Sequence, residues 1–468
     1  MIPKGNTTES FRDSISTVNK DGKRNWIFPT KPKGDYTKKR TILAIFYYAL
    51  FFGLPFIFVN GNPLFLFNIP EGKFIIFGYL FWPEDFLIFG LIMLAGIVFI
   101  ALFTNAFGRI FCGWICPQPV FLEFMFRKVD YWILGSAGKQ RYLHNKKWDK
   151  EKRRKYALRY FIYFILSFII ANTFLSYIIG IDELYKIITG NFIDHYLGFI
   201  GILIFTIVFF SVFAFLREQV CTNICPYGRL QGVLLDENSI VVAYDYVRGE
   251  PRGKFTKKAD SGLGDCIDCY QCVDVCPTGI DIRNGTQLEC INCTACIDAC
   301  DDIMIKVGRP TGLIRYDSEN NIAHGKKFRI TSKMYAYSAV LLILTSLIIA
   351  MLITRKDVGG QLLRTSGMVY QKRGDDSLSN MYNVKLTNKT NKEYNVSLRL
   401  IDKEGEIIMI DKQIINLKPE SQNTASLFIV LPKSELTAAN TKIKVEAIAD
   451  EKVINTFKAT FAGPIVRN

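Results

Sequence analysis

Five hydrophobic runs along the chain are long enough to form helices that cross a membrane. A bilayer core needs about 20 apolar residues in one helix. The runs cover residues 41–59, 86–107, 160–180, 196–216 and 334–353. The pattern therefore predicts five transmembrane helices. The polar stretch 1–40 before the first run favours an anchor over a cleavable signal peptide.

The last hundred residues follow a different pattern, in which polar and apolar residues alternate over short runs. Two such runs are MYNVKLTNKTNKEYNVSLRLID (381–402) and TASLFIVLP (424–432), and Gly, Pro, Asn and Asp mark the turns between runs. About seven strands in about 100 residues predict an immunoglobulin-like β-sandwich.

Composition agrees with a membrane protein, because 49% of the residues are hydrophobic and 14% are aromatic. Lysine and arginine then orient the chain: residues 1–40 hold ten of them and 127–159 hold twelve, whereas the loops 60–85 and 180–194 hold one each. Basic loops stay in the cytoplasm, so the two basic segments are predicted to be cytoplasmic and the two poor loops periplasmic.

This topology places residues 217–333 in the cytoplasm and 355–468 in the periplasm. The net charge of +15 lies mostly in loops beside the membrane, which is typical of a solvated face or of contact with lipid head groups and gives no support to nucleic-acid binding. All twelve cysteines then lie on the reducing side, so metal binding or redox chemistry is favoured over disulfides.

Eight of the cysteines form two consecutive C-x₂-C-x₂-C-x₃-C runs between residues 266 and 300. In two-cluster ferredoxins the fourth cysteine of each run binds the cluster of the other run. The predicted ligands of the first [4Fe-4S] cluster are Cys266, Cys269, Cys272 and Cys300. Those of the second are Cys290, Cys293, Cys296 and Cys276.

Other cofactors find less support in the sequence. Zinc sites use two C-x₂-C pairs or mixed Cys and His ligands, not tandem triplets. Haem is not expected, because the three histidines (His144, His195 and His324) cannot build a bis-histidine site in the membrane and no C-x₂-C-H occurs. A G-x-G-x-x-G motif is absent too.

The four remaining cysteines form two C-x₃-C-P motifs, each placed after an outward-to-inward helix. Cys112 and Cys116 belong to the first motif, and Cys221 and Cys225 to the second, which lies 109 residues further on. An i, i+4 spacing puts both thiols on one helix face, and a pseudo-two-fold packing of the halves would bring all four together near the ferredoxin domain. They are candidate catalytic residues, as redox dithiols or as ligands of a soft metal such as Cu(I); a plain helix contact is the structural alternative.

Two arginines, Arg109 and Arg229, stand beside these motifs. A nearby cation lowers the pKa of a thiol, so both are candidates for activating the cysteines. Lipid head groups are the alternative partner for arginines at a membrane boundary.

The chain resembles the FixG/RdxA/CcoG family of accessory proteins for cbb3-type cytochrome c oxidase over nearly its whole length. The segments that carry the resemblance, besides the eight-cysteine run, are KFIIFGYLFWPEDF (73–86), GRIFCGWICPQ (108–118), CTNICPYGRLQ (221–231) and VGRPTGLIRYDS (307–318). The layout is also similar to the NapH and NosR proteins, although the flavin-binding domain of NosR-like proteins has no counterpart, so no flavin is expected.

The resemblance implies an inner-membrane protein with two [4Fe-4S] clusters that reduces Cu(II) to Cu(I), copper being the substrate, during oxidase assembly. A NapH/NosR-like relay from quinol or a cytoplasmic donor, and a copper-holding scaffold without redox activity, are the alternatives. The expected partners are membrane lipid, the oxidase assembly and copper-supply proteins, an electron donor that the residues do not identify, and a second copy of the chain.

The expected fold is thus an α-helical membrane protein with an inserted cytoplasmic ferredoxin-like domain and a C-terminal immunoglobulin-like β-sandwich. The predicted boundaries are a cytoplasmic segment at 1–40, a four-helix membrane domain with both C-x₃-C-P motifs at 41–235, and the ferredoxin domain at 236–333. A fifth transmembrane helix at 334–354 and a periplasmic domain at 355–468 complete the chain.

Overall fold

A computed structural model of the chain forms two compact units. It describes residues 17–18, 23–59, 61–69, 72–82, 85–254, 262–326, 329–365, 370–374, 376–410, 414–436, 438–449 and 451–464. The first unit comprises residues up to 54, 93–176 and 182–344, and the second comprises 55–92, 177–181 and the chain from 345 onward. Residues 1–16 and 19–22 of the predicted N-terminal segment lie outside the described residues.

Fifteen α-helices are found in the described part of the chain. They are α1 (Asp35–Gly53), α2 (Phe86–Phe107), α3 (Ile110–Trp114), α4 (Pro117–Phe121), α5 (Arg127–Ile133), α6 (Ala137–Asn145), α7 (Lys150–Ile179), α8 (Ile181–Thr189), α9 (Phe192–Ser211), α10 (Pro226–Leu234), α11 (Tyr246–Gly249), α12 (Gln271–Asp274), α13 (Ala295–Lys306), α14 (Glu319–His324) and α15 (Ser332–Ile353). Three wider π-turns cover Leu122–Phe126, Val212–Leu216 and Val220–Ile224.

Four helices of the described chain, not the predicted five, are long and apolar enough to cross a membrane. They cover Phe86–Phe107, Lys150–Ile179, Ile193–Leu216 and Ser332–Ile353. The predicted first span, 41–59, is the exception: α1 begins earlier, in the charged sequence DYTKKR, and ends at Gly53. Pro55 follows two residues later and disfavours helix in the residue before it, so the apolar part of α1 is too short.

The second unit contains the predicted outer loop 60–85 and the predicted periplasmic domain. Described residues of the loop form two small antiparallel sheets: β1 (Phe58–Val59) with β2 (Asn62–Pro63), and β3 (Phe65–Asn68), β4 (Lys73–Ile76) and β5 (Tyr79–Phe81) in that order. Loop and domain thus share one unit, as a common side of the membrane would require, but the sidedness itself stays a prediction.

The C-terminal part of this unit is a sandwich of two antiparallel sheets. One sheet has the order β12 (Glu406–Met409), β14 (Gln422–Pro432), β10 (Ser377–Asn388) and β8 (Val358–Arg364), with β9 (Gln371–Arg373) paired to β10. The other has the order β13 (Ile415–Leu417), β11 (Tyr394–Leu400), β15 (Asn440–Ala449) and β16 (Lys452–Ala462). The predicted sandwich is therefore present, with alternating side chains of both sheets filling its core.

Asp85 ties the loop to the sandwich within this unit. Its carboxylate is 7% exposed and accepts hydrogen bonds from Lys389 Nζ at 2.5 Å and Arg355 Nη2 at 2.8 Å. Burial acts to raise the pKa of Asp85, but the two cations outweigh it and the pKa is lowered. The carboxylate therefore stays ionised and paired at neutral pH.

In the first unit the eight-cysteine segment is framed by a two-stranded antiparallel sheet. Its strands are β6 (Val241–Tyr244) and β7 (Ile314–Asp317). Val242 and Ile314 from the two strands pack in one core cluster with Cys266, Cys272 and Cys300. The chain before and after the cysteines is thus held together, so the segment folds back on itself as one domain.

The sandwich core predicts a clear stability difference between two aliphatic positions. Leu427 on β14 is fully buried, whereas Val453 on β16 is 50% exposed. Leu427→Ala should lower the free energy of unfolding of the sandwich by about 2–5 kcal/mol through lost contacts and a cavity. Val453→Ala should change it by less than about 0.5 kcal/mol. Urea unfolding of the detergent-solubilised protein measures both, and equal effects would contradict the core assignment.

Candidate metal centres

The two cysteine runs have the same backbone conformation. Asp268 and Tyr270 in the first run have φ of 55° and 57°, and Asn292 and Thr294, each 24 residues later, have φ of 51° and 61°. Left-handed residues are uncommon outside glycine, and alternating them with right-handed ones curls the backbone so that its N–H groups face inward, as at many iron-sulfur sites. Each run is thus a preformed concave loop for an anionic group.

The first cavity is lined by four cysteines drawn from both runs. They are Cys266, Cys269, Cys272 and Cys300. Ile267, Met304, Leu313 and Ile314 form apolar walls, and Tyr244, Tyr270 and Arg283 complete the lining. Burial, together with the neighbouring thiols of Cys272, Cys269 and Cys266, raises the pKa of Cys300, which agrees with these four cysteines lining one cavity.

The second cavity is lined by the complementary cysteines. They are Cys276, Cys290, Cys293 and Cys296, with Cys272 at the boundary between the cavities. Thr278, Ile280, Ile282, Ile291 and Thr294 complete the lining. The structure therefore groups the eight thiols in the two sets that the spacing predicts, while their assignment as cluster ligands stays a prediction.

The donor chemistry of both cavities suits a cluster better than a single ion. Within the described residues no three Cys, His, Asp or Glu side chains converge as one metal ion would require. Four thiols are instead spread around each cavity, with largely apolar walls. This arrangement fits a [4Fe-4S] group, whose irons are held by separate thiolates.

The two C-x₃-C-P motifs come together in a second kind of centre, here named the four-cysteine site: Cys112, Cys116, Cys221 and Cys225. The charge state of Cys221 is affected by all three of the other thiols. Cys116 is likewise affected by Cys112 and Cys225. The halves of the repeat therefore converge as the sequence predicted, next to the eight-cysteine segment of residues 266–300, from here on named the dicluster segment for its two predicted clusters.

The repeat is also a repeat of backbone conformation. A residue with positive φ stands four positions before the first cysteine of each motif, Gly108 at 57° and Arg217 at 51°. The second cysteine then donates its N–H to the carbonyl five residues back, Cys116 to Phe111 at 2.9 Å and Cys225 to Val220 at 2.8 Å. A helix starting with proline follows in both copies. These wide turns place both thiol pairs alike, and π-type turns are frequent at functional sites.

Burial controls the protonation of the four-cysteine site. It raises the pKa of Cys116 to about 11 and also raises the pKa of Cys112 and Cys221. Arg109 opposes this effect at Cys112 but does not overcome it. Arg229 is exposed, so its predicted role beside the thiols is not supported. Without a bound metal these three cysteines are therefore neutral thiols at pH 7, and a soft cation would have to displace their protons.

The four-cysteine site packs directly against the second cavity. Cys112 and Cys221 belong to one apolar cluster with Cys293 and Cys296. A Cβ on Gly113 would lie 2.4 Å from the carbonyl oxygen of Ile291, so the two backbones meet without room for a side chain. Trp114 adds a bridge: its Nε1 donates to the Tyr316 hydroxyl (3.0 Å), which donates to the Asn292 carbonyl (3.2 Å).

Helix α1 forms hydrogen bonds with both cysteine segments that meet at this contact. Asp298, which lies between Cys296 and Cys300, accepts hydrogen bonds from the N–H groups of Tyr36 (3.0 Å) and Thr37 (2.7 Å) in the first turn of α1. A carboxylate at a helix N-terminus is favourable. Five residues after Asp35, Arg40 donates two bonds to the Gly113 carbonyl, at 3.2 and 2.9 Å.

A buried ion network, which the sequence did not reveal, joins the second motif to the dicluster segment. Arg127 pairs with Glu218 at 3.3 Å and donates to the carbonyl of Pro277 at 3.0 Å. Arg217 pairs with Asp130 at 3.1 Å, and Asp130 also pairs with Arg159 at 2.6 Å. In the sequence these arginines look like any other basic residues of cytoplasmic segments. The acidic residues near them, Asp130 and Glu218, were the one sign that ion pairs could form.

Comparison with known protein families assigns most of the chain. A model described as "4Fe-4S dicluster domain" matches residues 216–319, and one described as "4Fe-4S binding domain" matches 86–150. A third, described as "IG-like fold at C-terminal of FixG", matches 348–464. The first and third agree with the dicluster segment and the sandwich, and the second covers the first C-x₃-C-P motif.

Several curated proteins are similar over much of the chain. RdxB of Cereibacter sphaeroides is 33% identical over 400 residues, 80% of this chain and 82% of RdxB. RdxA of the same organism is 34% identical, covering 78% of this chain and 80% of RdxA. Nitrogen fixation protein FixG of Rhizobium meliloti is 33% identical, covering 64% and 59%. The crystal structure of a FixG-related protein from Vibrio parahaemolyticus is 19% identical in sequence, and the match covers 23% of this chain and 97% of that protein, with a TM-score of 0.21.

The cross-grouping of cysteines predicts how iron is lost from paired variants. Two clusters hold about eight irons per chain. Cys266→Ala with Cys300→Ala should lose about four, because both remove ligands of one cluster. Cys266→Ala with Cys276→Ala should lose nearly all, because one ligand of each cluster is gone. Iron and sulfide analysis of the anaerobically purified protein measures this, and loss of only four irons in the second variant would mean that each run binds its own cluster.

The close contact at Gly113 predicts a large effect from one added methyl group. Gly113→Ala should lower the thermal midpoint and the iron retained on purification, because the Ile291 loop must move away. Gly138→Ala is the matched control, since a Cβ there meets nothing within 4 Å. Thermal unfolding and iron content compare the two variants, and similar results would show that the contact is dispensable.

Proposed function

The chain belongs to the FixG/RdxA family of iron-sulfur electron-transfer proteins, and we propose that it is a membrane-bound cupric reductase, converting Cu(II) to Cu(I) for assembly of a cbb3-type cytochrome c oxidase. The clusters would supply storage of single electrons. Cys266, Cys269, Cys272 and Cys300 would hold the first, and Cys276, Cys290, Cys293 and Cys296 the second.

The observation that carries the proposal is the packing of the four-cysteine site against the second cavity. Thiolates are soft ligands and favour Cu(I). Within the described residues no three of these thiols converge as one ion requires, so bound copper would draw them together and would then be stabilised as the reduced ion. Cys112 and Cys221 contact the apolar cluster that contains Cys293 and Cys296. Copper bound by the four thiols would thus lie a short distance from a source of electrons.

The two cavities would have different roles, because a soluble electron donor can reach one of them more easily than the other. Cys269 of the first cavity is exposed, whereas Cys293 of the second is buried, so a soluble donor can approach the first cavity more readily. At the four-cysteine site one electron reduces one Cu(II) ion to Cu(I). Thiol protons leave as the copper binds.

We also infer the setting of this chemistry. The dicluster segment and the four-cysteine site would face the cytoplasm of an inner-membrane protein, and the sandwich would face the periplasm, as the distribution of lysine and arginine indicates. Partners would be membrane lipid and the assembly and copper-supply proteins of the oxidase. The sandwich, a closed β domain without cysteine or histidine, suits docking better than catalysis.

A second candidate for the four-cysteine site is a third iron-sulfur cluster. The family model over residues 86–150, which covers Cys112 and Cys116, is described as a 4Fe-4S binding domain. A third cluster would turn the site into a relay toward another acceptor, as in the NapH/NosR-like alternative. Iron content separates the two: about eight irons per chain for copper at this site and about twelve for a third cluster.

Cupric reduction should depend on the thiols of the four-cysteine site. Protein reduced with dithionite and freed of excess reductant should reoxidise on addition of Cu(II), with one Cu(I) formed per electron lost. Cys112→Ala and Cys221→Ala should each slow this step at least about tenfold, because the bound copper loses a thiolate. Cluster absorbance and a Cu(I)-specific chelator follow both products anaerobically.

Thr222→Ala is the matched control, since Thr222 lies in the same turn as Cys221 without a thiol. It should reduce copper at the normal rate. Clusters that stay reduced while copper binds would identify a copper-holding scaffold. Reoxidation by a quinone but not by Cu(II) would identify a relay.

A further inference from the structure

Two arginines are buried beside the second cavity without a carboxylate partner among the described residues. Arg40 is 4% exposed and Arg109 is 3% exposed. Arg40 donates to the carbonyl of Gly113. Arg109 donates to Gln231 Oε1 at 3.1 Å and to the carbonyl of Leu288. All these acceptors are neutral, and a buried charge without a counter-ion is costly.

Cysteine sulfurs of the second cavity and of the four-cysteine site lie beside these arginines. Arg40 bonds to Gly113, whose backbone meets that of Ile291 in the wall of the second cavity, and it acts to lower the pKa of Cys293. Arg109 bonds to Leu288, two residues before Cys290, and it acts to lower the pKa of Cys290 and Cys112. Glu123 also acts on Cys293, but it forms an ion pair with Arg127 at 2.9 Å. The two cations would therefore have their counter-charge in the thiolates that a bound cluster or metal creates in the second cavity and in the four-cysteine site.

Around the first cavity the charges are distributed differently, because carboxylates match or outnumber the cations. Its lining arginine, Arg283, also acts to lower the pKa of Cys272, but it is paired with two carboxylates, Asp268 at 2.5 Å and Asp281 at 2.7 Å. Asp301 follows Cys300 directly and forms no ion pair within the part of the chain that the structure describes; its carboxylate accepts a backbone N–H at 2.8 Å. Charges around the first cavity are thus matched or in acidic excess.

Arg248, the cation that acts on Asp301, is itself bound to Asp265. Greater exposure of the first cavity, at Cys269 and Tyr270, stabilises added negative charge there. Two unmatched cations in a buried, poorly screened setting have the larger effect, because charge interactions strengthen as water is excluded.

We propose that Arg40 and Arg109 give the second cavity the higher reduction potential, so that electrons entering at the first cavity are directed toward the four-cysteine site. Net charge and hydrogen bonding around a cluster set its potential. Reduction adds one negative charge, which the arginines stabilise in the second cavity and the acidic residues oppose in the first.

The electron balance is simple. One electron leaves the first cluster, which is oxidised by one unit, and enters the second, which is reduced by one unit; no bond changes and no proton moves. The inference rests on the two-cluster part of the proposed function and not on copper. Failure of copper reduction would therefore leave it intact.

The test is a redox titration of the full-length protein in detergent, with the two cluster signals followed by electron paramagnetic resonance. Arg40→Gln and Arg109→Gln should each lower the reduction potential of the higher-potential cluster by at least about 59 mV. This is a tenfold change in the equilibrium constant for moving one electron between the clusters. Arg40→Lys should restore most of it. Asp301→Asn should shift the lower-potential signal upward, because it removes a negative charge while keeping the acceptor oxygen.

Iron content shows which variants retain both clusters. If Arg40→Gln and Arg109→Gln lose a cluster, the other two variants test the proposal. Arg40→Lys should keep most of the higher potential, and Asp301→Asn must shift the lower-potential signal upward. A shift of the higher-potential signal by Asp301→Asn, or of the lower-potential signal by either arginine variant, would overturn the proposal. So would unchanged potentials in variants with full iron content.

Discussion

The close packing of the first C-x₃-C turn on the second cysteine run is the contact on which the other features of the first unit depend. Gly113 and the carbonyl of Ile291 meet at a distance that excludes any side chain. Around this contact the chain places a hydrogen-bonded bridge through Trp114, the hydrogen bonds of α1, and the ion pairs of Arg127. Each of these features fixes the distance between cysteines of the second cavity and cysteines of the four-cysteine site, and electron transfer depends on such short, fixed distances.

The repeat explains how two thiol pairs can be placed alike, and its departures from symmetry explain how they can act differently. Gly108 and Arg217 share the left-handed conformation that starts each motif, but glycine adopts it freely and arginine does not. Arg217 is held by Asp130 and Glu218 in a buried network. Arg109, in contrast, corresponds to Glu218 in the second copy and faces cysteines. The first copy therefore contributes charge to the metal centres, and the second contributes rigidity.

The sequence predicted those features of the fold and of the candidate site that depend on residue spacing over short stretches of chain. The two sets of four cysteines follow from ligand spacing, the thiol pairs from the repeat, and the sandwich from alternation with turn residues. Long-range contacts were not accessible: Asp298 and the start of α1 are some 260 residues apart, and Arg40 looked like one more basic residue before a span. The exposed position of Arg229 agrees with the alternative that the sequence left open, contact with lipid head groups. The first span was predicted too long because Gly53 and Pro55 end the helix inside an apolar run.

If copper is reduced at the four-cysteine site, X-ray absorption at the copper edge should show both its oxidation state and its sulfur ligands. The spectrum would be recorded on dithionite-reduced protein given one equivalent of Cu(II), with the excess reductant removed beforehand. We expect Cu(I) surrounded by sulfur alone. Copper that remains Cu(II), or Cu(I) with nitrogen and oxygen ligands, would contradict it.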